Sequence, residues 1–275
     1  MKTKTIVVAT DFSAEAENAT KYAAGIAAEK GYKLVLFTLS KLSVHVLNSR
    51  ASANAIDQIL KAKNRRINEI TQSLNETFKI EVSSYLAFGD FNEELEKCIS
   101  LHAPWVLVMG MAEKSLEQEL LGNTTTEVIN TLKVPVIAVP LFASYSGFKK
   151  ILFAADALKG IYNVVLQEIK NIALEFGTKV EVFHVRDWIE QKSANDISGE
   201  NETLVRNSFA GIDYTYKDVD SEEIITAIKD ELLYIEADLL IMVPNRYGFW
   251  DSLVHRSKTR LMASGLEVPM LSLPL

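Results

Sequence analysis

The chain has 275 residues, 48% hydrophobic and 24% charged, which is ordinary for a globular protein and long enough for two domains. Its net charge of −7 and pI near 5.3 exclude a generic nucleic-acid surface, because phosphate backbones need clustered lysine and arginine. The single cysteine, Cys98, excludes an internal disulfide framework and a cysteine-rich zinc site; beside Leu95 and Ile99 it is expected to fill core.

The opening Met1-Lys2-Thr3-Lys4-Thr5, followed by a few apolar residues and Asp11, is too short for a secretory signal. No run reaches the ~18 apolar residues of a membrane span. The cytoplasm is therefore the expected compartment, with neither membrane nor nucleic acid as partner. Thr5 to Ala9 is a continuous apolar, β-branched run and predicts a strand buried on both faces. Ser13 offers an N-cap, Glu15 and Glu17 suit a first helical turn, and Gly31 ends a helix that runs to about Lys30. Lys33 to Leu39 is the second strand.

Ser52 to Phe78 carries Ile56, Ile59, Leu60, Ile67, Ile70 and Leu74 at mostly three- and four-residue intervals, predicting a long amphipathic helix. Its basic group Lys61, Lys63, Arg65, Arg66 sits among Asp57, Glu69 and Glu76 and reads as a solvated face. Ile80 to Ala87 is a third strand. Asp90 with Glu93 forms a capping-box-like start for a helix ending near His102. Trp105 to Met109 is a fourth strand, and a last helix after Thr124 leads into Val134-Pro135-Val136-Ile137-Ala138-Val139-Pro140.

The chain then begins again. Ile151-Leu152-Phe153-Ala154-Ala155-Asp156 repeats Ile6 to Asp11 at an offset of 145, and Val268-Pro269-Met270-Leu271-Ser272-Leu273-Pro274 repeats Val134 to Pro140 at an offset of 134. Copy one therefore carries eleven extra residues, 145 less 134, in its middle. In copy two, Ser193 to Glu202 is rich in loop formers and predicts a shortened helix after a mobile loop. Asp220 with Glu223 repeats the cap, Leu239 to Val243 is the fourth strand, and a final helix follows Ser257.

Strands alternating with helices imply right-handed βαβ crossovers and a mostly parallel, five-stranded, doubly wound α/β sheet in each copy, a Rossmann-like architecture. The expected domains are residues 1–141 and 148–275. Proline at the second position of each last run suits a sheet edge or strand start. Two such edges invite Val136–Val139 and Met270–Leu273 to meet across a pseudo-twofold, pairing the two domains as a homodimer would. A further homodimer or protein partner stays open.

Ligands of doubly wound sheets bind beyond the carboxyl ends of the strands. That rule selects Asp11, Leu39, and the loop from Gly110-Met111 through Gly122-Asn123-Thr124-Thr125. Two glycines let backbone approach a ligand, and the helix start that follows favours an anion such as phosphate.

Thr10-Asp11-Phe12-Ser13, this order of elements, and a glycine-bearing loop before Val-Pro-Val-Ile-Ala-Val resemble the universal stress protein family, as two tandem domains. The resemblance implies an adenine nucleotide alpha hydrolase-like fold. In nucleotide-binding members an aspartate after strand one meets adenine, backbone after strand two assists, and a Gly-x2-Gly-x9-Gly-Ser/Thr loop cradles ribose and phosphates. It thus implies ATP or AMP in the first domain, held by Asp11, Leu39, Gly110, Met111, Gly122, Asn123, Thr124 and Thr125.

This chain departs from the pattern: Glu113 replaces the second glycine, the next spacing is one residue short, and Asn123 stands where a hydroxyl is usual. A working site and a vestigial one both remain open for copy one. In copy two Asp156 is kept, but Pro244, Tyr247 and Arg256-Ser257 replace Gly110, Glu113 and Gly122-Asn123, so no cofactor is expected there. Arg256 with Ser257 could hold an anion, while Tyr247, Phe249 and Trp250 either cover a flat ligand or a partner surface or pack beneath their loop.

His45, His102, His184 and His255 lack metal-ligand spacing, and His184 reads as a satisfied core residue. Walker, Rossmann and nucleophile-elbow motifs are absent. The residues make no case for catalysis. The expected function is a non-catalytic regulatory or stress-response module; the rivals are a nucleotide-free interaction scaffold and a weak ATPase.

Overall fold

The computed structural model describes residues 3–40, 53–111, 123–156, 163–186, 195–221, 223–244 and 267–275. Two compact units emerge from its contacts: Met1–Met111 with Leu141–Tyr145, and Ala112–Pro140 with Ser146–Leu275. Each contains parallel strands joined by helices, as the alternating pattern requires, and the fold is α/β with two tandem doubly wound repeats.

In the first unit β1 (Thr5–Ala9), β2 (Lys33–Ser40), β3 (Val82–Phe88) and β4 (Val106–Gly110) lie in the order β3-β2-β1-β4. All three ladders are parallel, with Val8 opposite both Leu36 and Val108. Ile6, Val7 and Val8 are buried on both faces, which explains why the β1 run does not alternate.

Helix α1 (Ala14–Lys30) starts where Ser13 Oγ accepts the Ala16 N–H and stops at Gly31, at φ 67°. Its inward stripe is short-chained, Ala16, Ala19, Ala23 and Ala27, so the helix sits close to the sheet. The connection after residue 140 is strapped to this helix. Asn18 donates to the Ala143 carbonyl at 2.9 Å, and the Tyr145 ring lies over Gly25, where a Cβ would come within 2.9 Å of it. Tyr145 donates its hydroxyl to Glu29 at 2.5 Å and meets Tyr22 edge-on.

Helix α2 (Ala53–Phe78) packs on β2 and β3, burying Ile67 and Leu74. Helix α3 (Phe91–His102) is capped by Asp90, which accepts the Asn92 and Glu93 N–H groups. Cys98 is fully buried on it, and burial pushes its thiol up to about 12. The third strand starts at Val82, two residues later than its apolar composition suggests.

The second unit holds α4 (Asn123–Thr131), β5 (Val136–Val139), β6 (Lys150–Asp156), α5 (Asn163–Phe176), β7 (Lys179–Arg186), α6 (Asn195–Ser208), β8 (Tyr214–Asp220), α7 (Ile224–Tyr234), β9 (Leu239–Met242) and β10 (Met270–Ser272). Its strand order is β5-β10-β9-β6-β7-β8. Strands β6 to β10 pair in parallel, whereas β10 meets β5 antiparallel, with Met270 opposite Ala138 and Ser272 opposite Val136. The two Val-Pro strands thus lie side by side, and each proline falls one residue before its strand, where no ladder donor is lost.

In copy two the helix is shortened as expected, but its start and the cap of the next helix need correction. Helix α6 begins at Asn195, inside the stretch read as loop formers, and spans 14 residues against 26 for α2. It buries Asn201, Val205 and Ser208 at helical spacing, and that tertiary face outweighs the weak local propensity. Asp220 does not repeat the cap of Asp90: it is the last residue of β8, and Glu223 at the cap position makes no side-chain cap bond. The final helix expected after Ser257 lies outside the described residues.

Candidate functional site

Parallel pairing brings the carboxyl ends of β1, β2 and β4 to one edge of the first unit. The chain leaves β1 through a turn held from both sides. Thr10 Oγ1 accepts the Phe12 N–H at 3.1 Å, and Asp11 Oδ1 accepts the Ser13 N–H at 3.0 Å. Between them Phe12 adopts φ 67°, a left-handed conformation costly for a residue with a Cβ and kept only where neighbours over-determine it. The Arg66 guanidinium covers the Phe12 ring at 4.5 Å and reaches Glu17 at 3.3 Å. The turn leaves Asp11 exposed at the sheet edge.

Leu39 stands at the same edge on β2, and its carbonyl accepts the Lys63 ammonium at 3.1 Å. Lys63 and Arg66 are three apart on α2 and so share a face. Lys61, Arg65 and Arg66 are exposed, as a solvated face requires, while Lys63 is half-buried; Arg66 nevertheless lies over Phe12 and Lys63 reaches Leu39. Sequence reasoning missed both cations; their i,i+3 spacing on an amphipathic helix is the signal that could have found them. It also missed Thr38 and Ser40 at the end of β2, whose hydroxyls are buried without a hydrogen-bond partner.

Gly110 ends β4 where the packing of α1 itself calls for a bare Cα. A Cβ there would lie 2.7 Å from the Glu15 carbonyl carbon and oxygen and 3.0 Å from the Ala16 nitrogen. The bare Cα admits the first turn of α1, and Met111 beyond it is buried. Asp11, Leu39, Gly110 and Met111 are thus brought together on the first unit.

Asn123, Thr124 and Thr125 form the first turn of α4 in the second unit. Thr124 is exposed and Thr125 buried, and Thr126 also buries its hydroxyl. Gly122, Glu113, Tyr247, Phe249, Trp250, Arg256 and Ser257 lie outside the described residues. Beside the α1–α2 face a cleft of about 320 Å³ is lined by Thr10, Glu17, Thr20, Lys21, Glu69 and Ser73, with Ile70 and Leu74. Its rim carries both charge signs.

His184 on β7 is only half satisfied. It is buried, its Nδ1 lies 3.2 Å from Asp218 Oδ1, and its Nε2 has no partner. No group of three or more histidine, cysteine or acidic side chains suited to a metal exists among the described residues. No described helix is long and apolar enough to cross a membrane.

No curated protein matches the chain. Among solved structures, a universal stress protein from Archaeoglobus fulgidus DSM 4304 is similar over 100% of this chain and 99% of its own, at TM-score 0.74 and 18% identity. A protein of Pseudomonas aeruginosa UCBPP-PA14, proposed to be a universal stress protein, covers 99% of this chain and 94% of its own at TM-score 0.63 and 15% identity. A functionally unknown protein of Pseudomonas aeruginosa PAO1 does so over 99% and 93% at TM-score 0.62 and 14% identity. At these identities the likeness establishes the two-repeat fold alone. The sequence model of the universal stress protein family matches residues 2–140, the whole first repeat, and with that match the chain belongs to the universal stress protein family.

Proposed function

We propose that this family member is a non-catalytic regulatory module of the stress response, acting in the cytoplasm, whose first repeat binds an adenine nucleotide, ATP or AMP. The two repeats, residues 1–141 and 148–275, serve as paired domains, and the second holds no nucleotide. The observation that supports this reading is the edge of β1 and β2: Asp11 exposed on a doubly fastened turn, with Lys63 and Arg66 delivered to it by one face of α2. A carboxylate on the same sheet edge as two cations, one at Leu39 and one at Phe12, suits a ligand that combines a base bearing an amino donor with phosphate charge. In that role Asp11 and the Leu39 carbonyl meet the base, and the loop from Gly110 and Met111 to Gly122, Asn123, Thr124 and Thr125 meets ribose and phosphate.

A nucleotide-free scaffold has its own support. The Leu39 carbonyl already has Lys63 as its donor, and the space above Gly110 already holds α1. Two features assigned to a ligand thus have occupants within the fold.

Thermal unfolding with ATP, AMP and no addition separates the readings. Binding stabilises the native state by RT ln(1 + [L]/Kd), about 2.7 kcal/mol at a hundredfold excess over Kd. The expected result is a shift with ATP or AMP that Asp11→Ala and Gly122→Arg both abolish. No shift up to millimolar nucleotide overturns the proposal in favour of the scaffold, and ATP turnover that Asp11→Ala removes replaces it with a weak ATPase.

A further inference from the structure

In the second unit, one face of the β7–β8 ladder carries charge where an interior should be apolar. Register puts Glu181 opposite Thr215 and Phe183 opposite Lys217, all on the face that α7 covers. From α7, Glu231 enters this face and is 6% exposed. Each carboxyl has one satisfied oxygen: Glu181 Oε2 accepts the Thr215 hydroxyl at 3.1 Å, and Glu231 Oε2 accepts the Lys217 ammonium. Lys217 is further held over the rings of Phe183 and Tyr234, at 5.7 and 5.2 Å.

The remaining oxygens, Glu181 Oε1 and Glu231 Oε1, are both buried and both lack a donor. The residues that hold the two carboxyl groups, Thr215 and Lys217, are two apart on β8 and so point to the same face, which brings both carboxyl groups to one place on the ladder. Two carboxylates cannot bond, since each only accepts; one proton between them turns two orphaned acceptors into a charge-assisted O–H···O bond. Charge balance requires the same proton. Lys217 is the cation bonded to Glu231 and drawn to Glu181, Tyr234 lies beside that ammonium, Lys229 stands two residues before Glu231 on α7, and Leu152 of β6, opposite Glu181, is apolar. One ammonium neutralises one carboxylate and leaves the second to be neutralised by protonation.

We infer that Glu181 and Glu231 bind a single proton between their Oε1 atoms, and that this shared proton latches α7 onto the β7–β8 ladder and releases it as the solution turns alkaline. Burial first, then Glu231, raises the Glu181 carboxyl above its ordinary range, against the opposing pull of Thr215 and Lys217. With a folded pKa above the unfolded one, the latch contributes fully below the unfolded value. It weakens as pH rises through the window up to the folded value, because the native state then holds a proton that the unfolded chain has lost. His184 and Asp218 occupy the opposite face of the ladder and take no part.

The test follows amide exchange of Ile224–Tyr234 and urea unfolding from about pH 5 to about pH 8, a range that brackets a raised carboxyl. After correction for intrinsic exchange, α7 protection is expected to fall about tenfold for each unit by which the folded Glu181 pKa exceeds the unfolded one. Glu181→Gln donates to Glu231 without titrating and should remove that pH dependence. Equal pH dependence in both proteins overturns the latch. The carboxyl carbon resonance of Glu181 in the unmodified protein decides independently of whether the variant folds: titration in the ordinary carboxylate range overturns the proposal, and titration above it supports the proposal.

Discussion

The β2–β3 pair of the first unit and the β7–β8 pair of the second occupy equivalent places in their repeats and solve the interior differently. Lys33 and Lys179 start equivalent strands, so Val35 corresponds to Glu181, Thr38 to His184, and, on the outer strand, Tyr85 to Lys217 and Leu86 to Asp218. In the first unit Phe37 stacks on Tyr85 at 6.0 Å and meets Phe91 of α3 edge-on at 5.8 Å. In the second, Phe183 lies under the Lys217 ammonium, which Glu231 of α7 holds. An aromatic cluster needs only shape, whereas a charged one needs every partner at once. The parallel ladder tolerates both because backbone pairing does not depend on which side chains it carries.

The sharpest way to break the comparison is to move one charge without its partners. Val35→Glu places the Glu181 carboxyl in the first unit, where Ser83 stands in place of Thr215 but Tyr85 stands in place of Lys217, so a hydroxyl and no cation awaits it. The expected cost is about 4 kcal/mol at neutral pH, as for a buried charge with its partner missing, and less under acid, where the new carboxyl is neutral. The reciprocal Glu181→Val leaves Lys217 and Glu231 paired and should cost about 2 kcal/mol, the worth of the two hydrogen bonds to Thr215 and Glu231. Urea unfolding of both variants reads the difference; equal costs would show that the two interiors have the same polarity.

A second contrast concerns the end of the fourth strand, where copy one has Gly110 and copy two Pro244. The clash of a Cβ at position 110 is with the backbone of Glu15 and Ala16, which cannot rotate away as a side chain would. Gly110→Ala is expected to lower stability by about 3 kcal/mol through displacement of α1, whether or not any ligand is present. If Gly110→Ala folds normally and loses only nucleotide binding, the glycine serves a ligand and the packing explanation fails.

These contrasts mark where the sequence was readable. Periodicity and caps placed β1, α1, α3 and both Val-Pro strands because local signals and burial agree there: Ser13, Gly31 and Asp90 do what their side chains and backbone predispose them to do. The pairing of Val136–Val139 with Met270–Ser272 was legible because the repeat offers two similar edges. At the candidate site, Asp11, Leu39, Gly110 and Met111 were legible as strand ends. The reach of Lys63 to Leu39 and the contact of Gly110 with α1 were not, since each depends on how a helix packs on the sheet, and the left-handed Phe12 was not, since a phenylalanine carries no local preference for positive φ. The Glu181–Glu231 pair was equally hidden, because 50 residues separate two carboxylates that read singly as surface charges.

The smallest effect sharpens the comparison at the helix starts. Asp90 accepts two N–H groups, from Asn92 at 2.9 Å and Glu93 at 3.1 Å, satisfying two of the donors that open α3. Asp90→Ala should cost about 1 kcal/mol. Glu223 stands at the same point before α7, but its backbone is at φ −118° and ψ 73° and its carboxylate accepts the Thr226 hydroxyl instead of a helix N–H. Glu223→Ala should therefore cost only about 0.3 kcal/mol, the worth of an exposed charge near a helix N-terminus. The prediction follows from side-chain geometry, because both positions carry an acidic residue with the same sign relative to the helix dipole. Equal losses would mean that the dipole sets the stability of these helix starts, and a larger loss at Asp90 that the hydrogen bonds do.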